Sequence, residues 1–277
     1  LSNPPTHAVN VTSNGLVAVW TIPEKFLAAG ISKVTGKGSQ GVTFQEAVAN
    51  AYGTLEGFGD GLRGAARALS NEDFIDPYTK LDGRRRAIKG VGGSAVRMPF
   101  RFLGAEDQFF KGIGYRQNLS GLAYREANKL GLKGRKKAKF INDIEDADLS
   151  ILQNRRKQAI NEGQQKTANE LSKQIDMIDN VRQSAREAAR YQTFTNTAGP
   201  IAQGIKNFVS KYPEFRFIVP FINTPANIIT FALERTPAAP LLQRYKDAIK
   251  KGGADADIAR AKMIMGTGVM SYVTYLG

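Results

Sequence analysis

Cysteine is absent from this chain of 277 residues, which excludes disulfide bonds and metal sites built on thiolates. His7 is the only histidine, so zinc sites that need paired imidazoles and catalytic triads built on histidine lack parts. No stretch reaches the roughly 18 uninterrupted apolar residues that a membrane-spanning helix needs. The functions left open need neither thiol chemistry nor a histidine-based metal site.

Alternation of apolar and polar residues, the pattern of a half-buried β-strand, is also missing. In its place are long stretches rich in Ala, Leu, Lys, Arg, Glu and Gln, with apolar residues three and four positions apart. The sequence therefore predicts an all-α protein, an elongated multi-helix bundle. The predicted helices cover 43–69, the stretch from Gly104 to Gly131, 138–161, 165–196, 228–235 and 241–251, with a last helix starting at Asp255 or Asp257.

The helix predicted from Thr43 to Leu69 has two distinct faces. Its apolar residues alternate at spacings of four and three for nearly four heptads, which is typical of a coiled-coil seam. Glycines occupy the opposite side, where each costs about 1 kcal/mol relative to alanine, and they predict close approach of a second backbone. We interpret the helix as packing on both faces in a multi-subunit assembly; the alternative is a surface helix weakened by glycine. The predicted subunit contacts are Phe44, Val48, Leu55, Phe58, Leu62 and Leu69 on the apolar side and Gly53, Gly57, Gly61 and Gly64 on the other.

No motif in the chain supports catalysis or nucleotide binding. Residues 36–41 spell G-x-G-x-x-G, but a dinucleotide-binding turn needs a preceding strand, and no strand pattern precedes them. Carboxylates are plentiful, yet Glu145 and Asp146 share their helix with Arg155 and Arg156, as on a solvated charged face. We predict that the chain is not an enzyme and that it holds no cofactor and no metal.

Positive charge is in excess, with 39 Lys and Arg against 25 Asp and Glu and a net charge of +14. Such an excess favours polyanionic partners, meaning nucleic acid or an anionic membrane surface. Basic side chains that face phosphates bind DNA without reading its sequence, whereas the alternative is that they only solvate exposed helix faces. The predicted DNA contacts are Arg84, Arg85, Arg86, Lys133, Arg135, Lys136, Lys137, Lys139, Lys250 and Lys251.

Two short motifs lie near opposite ends of the chain. The first reads L-S-x-P-x-T-H-x-x-N-x-x-x-N, and the second reads P-x-x-R-x-I-x-P-F-x-x-T-P-A-N-I. Three prolines divide the second into short apolar runs, which predicts an irregular apolar segment leading into a helix. Thr224 is the expected cap of that helix, with Pro225 at its first position. The residues that carry the two motifs are Pro4, Thr6, His7, Asn10, Pro213, Arg216, Pro220, Phe221, Thr224, Pro225 and Asn227.

The two motifs, in this order, resemble those of the internal virion proteins of tailed bacteriophages, which belong to large multi-module polyvalent polypeptides. The resemblance implies a structural segment of a longer polypeptide, stored in the virion interior and found after ejection in the host periplasm or cell envelope. There, a homo-oligomer would help to form the conduit for genome ejection. The implied partners are other ejection proteins, the portal, double-stranded DNA without sequence specificity, and the host membrane after ejection. We expect His7 to fix the N-terminal loop through hydrogen bonds.

Two other interpretations stay open at this point. One is a virion-internal protein that binds or packages DNA without forming a channel. The other is a non-catalytic linker of a large virion enzyme, a lytic transglycosylase or a polymerase; the Glu-Ser pair that carries the transglycosylase acid does not occur in these residues. We divide the chain into an N-terminal segment at 1–42, a long-helix region at 43–198, and a proline-rich segment with short helices at 199–277.

Overall fold

The computed structural model describes residues 4–36, 40–71, 90–196 and 223–277, and within these ranges it contains nine α-helices and no β-strand. The all-α prediction is confirmed. A short 3-10 turn, Ala239–Leu241, is the other regular element. The helices are α1 (Pro4–Val34), α2 (Phe44–Asn71), α3 (Gly90–Lys129), α4 (Gly134–Asp146), α5 (Leu149–Asn161), α6 (Gln165–Gln192), α7 (Asn223–Leu233), α8 (Gln243–Lys251) and α9 (Gly253–Leu276).

Helix α1 corrects the prediction of an irregular N-terminal segment with a loop at His7. It runs without interruption through Gly15 and Pro23, although a proline inside a helix costs roughly 3 kcal/mol. Packing offsets that cost, because Ala28 and Ala29 are buried in a cluster shared with α9. Tertiary burial therefore outweighs the local helix breakers that the sequence displays.

Helices α2 and α3 pack against each other along most of the length of α2. The helix predicted over 43–69 is confirmed, whereas α3 begins at Gly90, well before the predicted start after Gly104. Its end agrees with the prediction, because Gly131 has a φ of 66° and the Leu132 N–H donates to the Ala127 carbonyl at 3.0 Å. This is the arrangement that terminates many helices at glycine.

The single helix predicted over 138–161 is two helices, α4 and α5, with a break at Ala147. Asp148 causes the break, because its carboxylate accepts a hydrogen bond from the Ser150 N–H at 2.8 Å and caps α5. The predicted turn at Gly163, which has a φ of 71°, is confirmed and leads into α6.

Besides a small contact of Ala18 on α1 with Phe110 and Ile113 on α3, two apolar clusters hold the described helices together. The larger joins α3, α4 and α6 around Leu119, Ile144 and Ile178, each with no exposed surface. The second joins α1 to α9 through small residues and includes Val42 from the connection before α2. The N-terminal and C-terminal helices are therefore neighbours.

The C-terminal helices follow their predicted order with small shifts. Helix α7 begins at Asn223, one residue before the predicted cap, and ends at Leu233. Gly252 and Gly253, with φ of 74° and 53°, separate α8 from α9, so the predicted glycine stop after Lys251 is confirmed. Asp255 lies in the first turn of α9.

Candidate functional site

His7 and Asn10 of the N-terminal motif share one partner on α3. His7 Nδ1 lies 2.7 Å from one carboxylate oxygen of Glu106, and the Asn10 amide donates to the other oxygen at 3.3 Å. Both residues lie on α1 rather than in a loop, and Pro4 and Thr6 lie in its first turn. The hydrogen bonds expected for His7 therefore join two helices.

Asn227 of the second motif holds the loop that follows α6. Its side-chain amide donates to the carbonyls of Phe194 at 3.0 Å and Asn196 at 3.1 Å, and Phe194 has a φ of 59°. Thr224 and Pro225 lie in the first turn of α7. The remaining residues of this motif lie outside the described part of the chain: Pro213, Arg216, Pro220 and Phe221.

The glycine face of α2 contacts α3 of the same chain, which corrects its assignment as a subunit contact. A Cβ built on Gly57 would lie 2.7 Å from the Cα of Ile113, and one on Gly61 would lie 2.5 Å from the Phe109 carbonyl oxygen. Gly53 and Gly64 are buried on the same face. The predicted close approach of two backbones exists, but α3 rather than a second subunit provides it because the chain folds back on itself.

The apolar stripe of α2 remains on the surface. Leu55 is 70% exposed, and the other large residues of the stripe retain between 44% and 62% of their accessible surface. Leu69, nearest the C-terminal end of the helix, is half-buried. Beside them, Tyr52 adds a further exposed ring. We call this surface the α2 stripe; its exposed members are Phe44, Val48, Tyr52, Leu55, Phe58 and Leu62.

Most of the predicted DNA contacts in the described ranges are exposed. Lys133, Arg135, Lys136 and Lys139 project around the start of α4, and Lys250 lies near the end of α8. Two others are engaged: Lys137 donates to Asn128 at 2.6 Å and lies 3.5 Å from the centroid of the Tyr124 ring, and Lys251 pairs with Asp255 at 2.6 Å. The predicted contacts Arg84, Arg85 and Arg86 lie outside the described residues.

A buried charged network, which the sequence analysis did not identify, joins α1, α6, α7 and α9. Arg235, just after α7, donates two hydrogen bonds to Glu24 at 2.7 and 2.9 Å, and the Trp20 indole donates to the same carboxylate at 2.8 Å. Arg235 also donates to the Tyr191 hydroxyl at 3.1 Å. Glu24 and Arg235 are 211 residues apart, so no local sequence pattern predicts that they pair.

The same network continues to Glu234 and Lys262. The Tyr191 hydroxyl donates to Glu234, and the Lys262 ammonium donates to Glu234 at 2.9 Å and to Tyr191 at 3.0 Å. Burial opposes the charged form of Lys262, but Tyr191 and Glu234 outweigh burial and raise the pKa of Lys262. Burial likewise opposes ionisation of Glu234, and Lys262 outweighs it and lowers the pKa of that carboxylate. These ion pairs hold the helices in place.

A second buried ion pair joins α2 to α3. The Arg125 guanidinium donates to both oxygens of Glu46, with the Nε contact at 3.0 Å. Burial works against the charge on Arg125, and the hydrogen bond and attraction from Glu46 raise its pKa above the ordinary value. Glu46 and Arg125 are both buried, so this pair fixes the register of α2 on α3 beside the glycine contacts.

Within the described ranges, no group of three or more Asp, Glu, His or Cys residues is arranged to hold a metal ion. Over the same ranges, no helix combines the length and the hydropathy that crossing a bilayer requires. Comparison of the chain with protein-family models, with curated proteins and with solved structures finds no match.

Proposed function

We propose that this chain is a structural segment of a phage internal virion protein, an elongated part of a longer polypeptide that assembles into the conduit for genome ejection. The observation that carries the proposal is the α2 stripe. Its helix is fixed to α3 by glycine contacts on one side and presents a heptad-spaced apolar surface on the other. Fixed helices with a free apolar seam are the parts from which helical assemblies are built.

The stripe is suited to another copy of the same chain. Its exposed residues, spaced by four and three over almost three heptads, match the seam of a second helix of similar length. Each large side chain is about half exposed, so covering it contributes on the order of 1 kcal/mol at about 25 cal/mol per Å². A symmetric assembly repeats the contact around its axis, which multiplies this contribution.

The exposed basic residues support contact with DNA inside such a conduit. Lys133, Arg135, Lys136 and Lys139 form a compact group at the start of α4, and the net charge is +14. Phosphate contacts of this kind position a duplex without reading its bases. A conduit through which an entire genome passes requires this indifference to sequence.

Sedimentation velocity of the 277-residue chain tests self-association through the α2 stripe. We expect concentration-dependent oligomers, and we expect Leu55→Lys to shift the protein to the monomer because a charge would be buried in the seam. Ile151→Lys is the matched control, since Ile151 on α5 is also exposed but lies outside the stripe. Circular dichroism should show unchanged helix content for both variants.

Oligomers that persist in Leu55→Lys, or a wild-type chain that stays monomeric at high concentration, would count against assembly through α2. The phage assignment is tested separately by asymmetric cryo-electron microscopy of virions. Repeated copies stacked on the portal around the DNA axis are expected. A protein absent from the virion would contradict the assignment even if the chain self-associates.

A second candidate is a virion-internal protein that binds or packages DNA without a channel. The exposed group at the start of α4 favours it as much as it favours the conduit. Stoichiometric coating of DNA with no ring or tube in electron micrographs would support it. The remaining interpretation, a linker within a larger virion enzyme, predicts that the enzyme's activity survives deletion of these residues.

A further inference from the structure

An open cavity of about 540 Å³ lies where α1, α3, α6 and the start of α9 meet. Its lining is unusually rich in basic side chains for a space between packed helices. Five of them come from four different helices: Lys25, Arg125, Lys129, Lys251 and Lys262. Three acidic residues, Glu24, Glu126 and Asp255, share the lining, so positive charge is in excess.

Ion pairs inside the protein account for four of the five basic residues. Arg125 is bound to Glu46, and Lys262 is bound to Glu234, as described above. The two others form ion pairs that are partly exposed, Lys129 with Glu126 at 2.7 Å and Lys251 with Asp255 at 2.6 Å. The Glu24 carboxylate forms its ion pair with Arg235.

Lys25 is the fifth basic residue of the lining, and it has no ion pair in the described part of the chain. Among the described residues its ammonium has neither a hydrogen bond nor an ion pair, although it lines the cavity with limited exposure to solvent. Burial lowers the pKa of Lys25 to about 8. Repulsion from Arg125 and Lys262 adds to this effect, and attraction from Glu46 and Asp255 partly opposes it. The cavity therefore holds one more positive charge than the neighbouring carboxylates neutralise, and this charge is on Lys25.

Backbone donors reach the same space. Gly253 lines the cavity at the start of α9, a helix of 24 residues whose N-terminus has no side-chain cap. The N–H of the preceding Gly252 is already bonded to the Ala248 carbonyl at 3.1 Å. The free N–H groups at the beginning of a helix carry partial positive charge and favour anions. They add to the excess positive charge but do not define the site by themselves.

We infer that this cavity binds a phosphate group, with Lys25 as its central cation and the backbone N–H of Gly253 as a further donor. A phosphate dianion accepts hydrogen bonds from several directions, which suits cations that project from four helices. The exposed Lys129 and Lys251 pairs are weak in water and are free to turn towards a bound anion. The inference does not depend on self-association through α2.

Titration of inorganic phosphate with the 277-residue protein, followed by the phosphorus NMR linewidth at pH 7 and low salt, tests the site. We expect saturable binding that is at least tenfold weaker in Lys25→Met. Lys33→Met is the matched control because Lys33 is exposed on the same helix, and it should bind phosphate as the wild type does. Lys25→Arg, which keeps the positive charge, should retain binding within a few-fold.

Two results would overturn the site: no saturable broadening with the wild-type protein, or equal affinities for wild type and Lys25→Met. A short DNA duplex then identifies the source of the phosphate. Displacement of inorganic phosphate by the duplex, lost in Lys25→Met, assigns the cavity to nucleic-acid backbone. Binding of phosphate that the duplex does not displace assigns it to a small phosphate compound.

Discussion

Glu24 and Lys25 are adjacent residues of α1, but among the described residues only Glu24 has a partner of opposite charge in direct contact. Glu24 accepts hydrogen bonds from the Trp20 indole and from the Nε and Nη2 atoms of Arg235. Lys25, the next residue, lines a cavity with other cations and lacks a counter-ion among the described residues. Burial of a charge is tolerated when its partner is supplied and is costly when it is not. The two side chains therefore predict different responses to mutation.

Removing one partner of the Glu24–Arg235 pair should be strongly destabilising. Arg235→Met leaves the buried Glu24 carboxylate without its two strongest donors, and we expect a loss of about 3–5 kcal/mol in the free energy of unfolding. Glu24→Leu combined with Arg235→Met should recover much of that loss because no charge is then buried alone. Urea denaturation of the single and double variants measures both values. Additive losses in the double variant would contradict the coupling.

Lys25→Met should stabilise the protein at neutral pH. The pKa of Lys25 is about 8 in the folded chain against an ordinary value of 10.5, so the unfolded chain binds more protons between these values. Stability of the wild type should therefore rise from pH 8 towards pH 10, relative to Lys25→Met. At pH 7 we expect the variant to be more stable by on the order of 2 kcal/mol.

Urea unfolding at pH 7 and at pH 9.5 measures this difference, with Lys33→Met as the exposed control. The groups that act on Lys25 are Arg125, Glu46, Lys262 and Asp255, and all of them are unchanged in the variant. If the difference in unfolding free energy between the wild type and Lys25→Met stays constant across this pH range, Lys25 is solvated and its pKa is not lowered.

At the scale of the element, α2 shows how a glycine-rich helix persists. The glycines on its buried face allow α3 to approach within a distance that a Cβ would forbid. Contact between the two backbones, the Glu46–Arg125 pair and the Asp60–Arg116 hydrogen bond of 2.8 Å all act along the same interface. The helix is therefore stabilised by its partner more than by its own propensity.

Two glycines of α2 should respond in opposite ways to alanine. Gly57→Ala places a methyl group against the backbone of α3 at Ile113, and we expect a loss of about 1–3 kcal/mol in the free energy of unfolding. At Gly59, which has open space around its Cβ position, alanine should stabilise the helix by about 0.5–1 kcal/mol. Thermal unfolding followed by circular dichroism compares the two variants. A stable Gly57→Ala protein would mean that the helices separate easily.

The sequence predicted elements better than it predicted their partners. Heptad spacing and the glycine row correctly placed α2 and required a close backbone, because both signals are local. They did not identify α3 as the partner, since no spacing within α2 encodes a helix that begins at Gly90. Helix α1 was not predicted for the same reason: the burial that stabilises it comes from residues of α9.

At the scale of the whole molecule, the proposed roles rest on three separate regions. The α2 stripe, the basic group at the start of α4 and the cavity around Lys25 each present a different chemistry on the described part of the chain. Three regions of different chemistry suit a protein that binds several partners at once. The charged residues that line the cavity were hidden from sequence analysis because four helices contribute them.

The pairing of α1 with α9 has a consequence for how the chain is made. Glu24 meets Arg235 only after 211 further residues have been synthesised, and Ala28 waits still longer for the residues of α9. Helices α2 to α6 have their partners earlier, because their contacts span shorter distances along the sequence. At roughly 5–20 residues per second, this face of α1 therefore waits on the order of tens of seconds for its partners during synthesis.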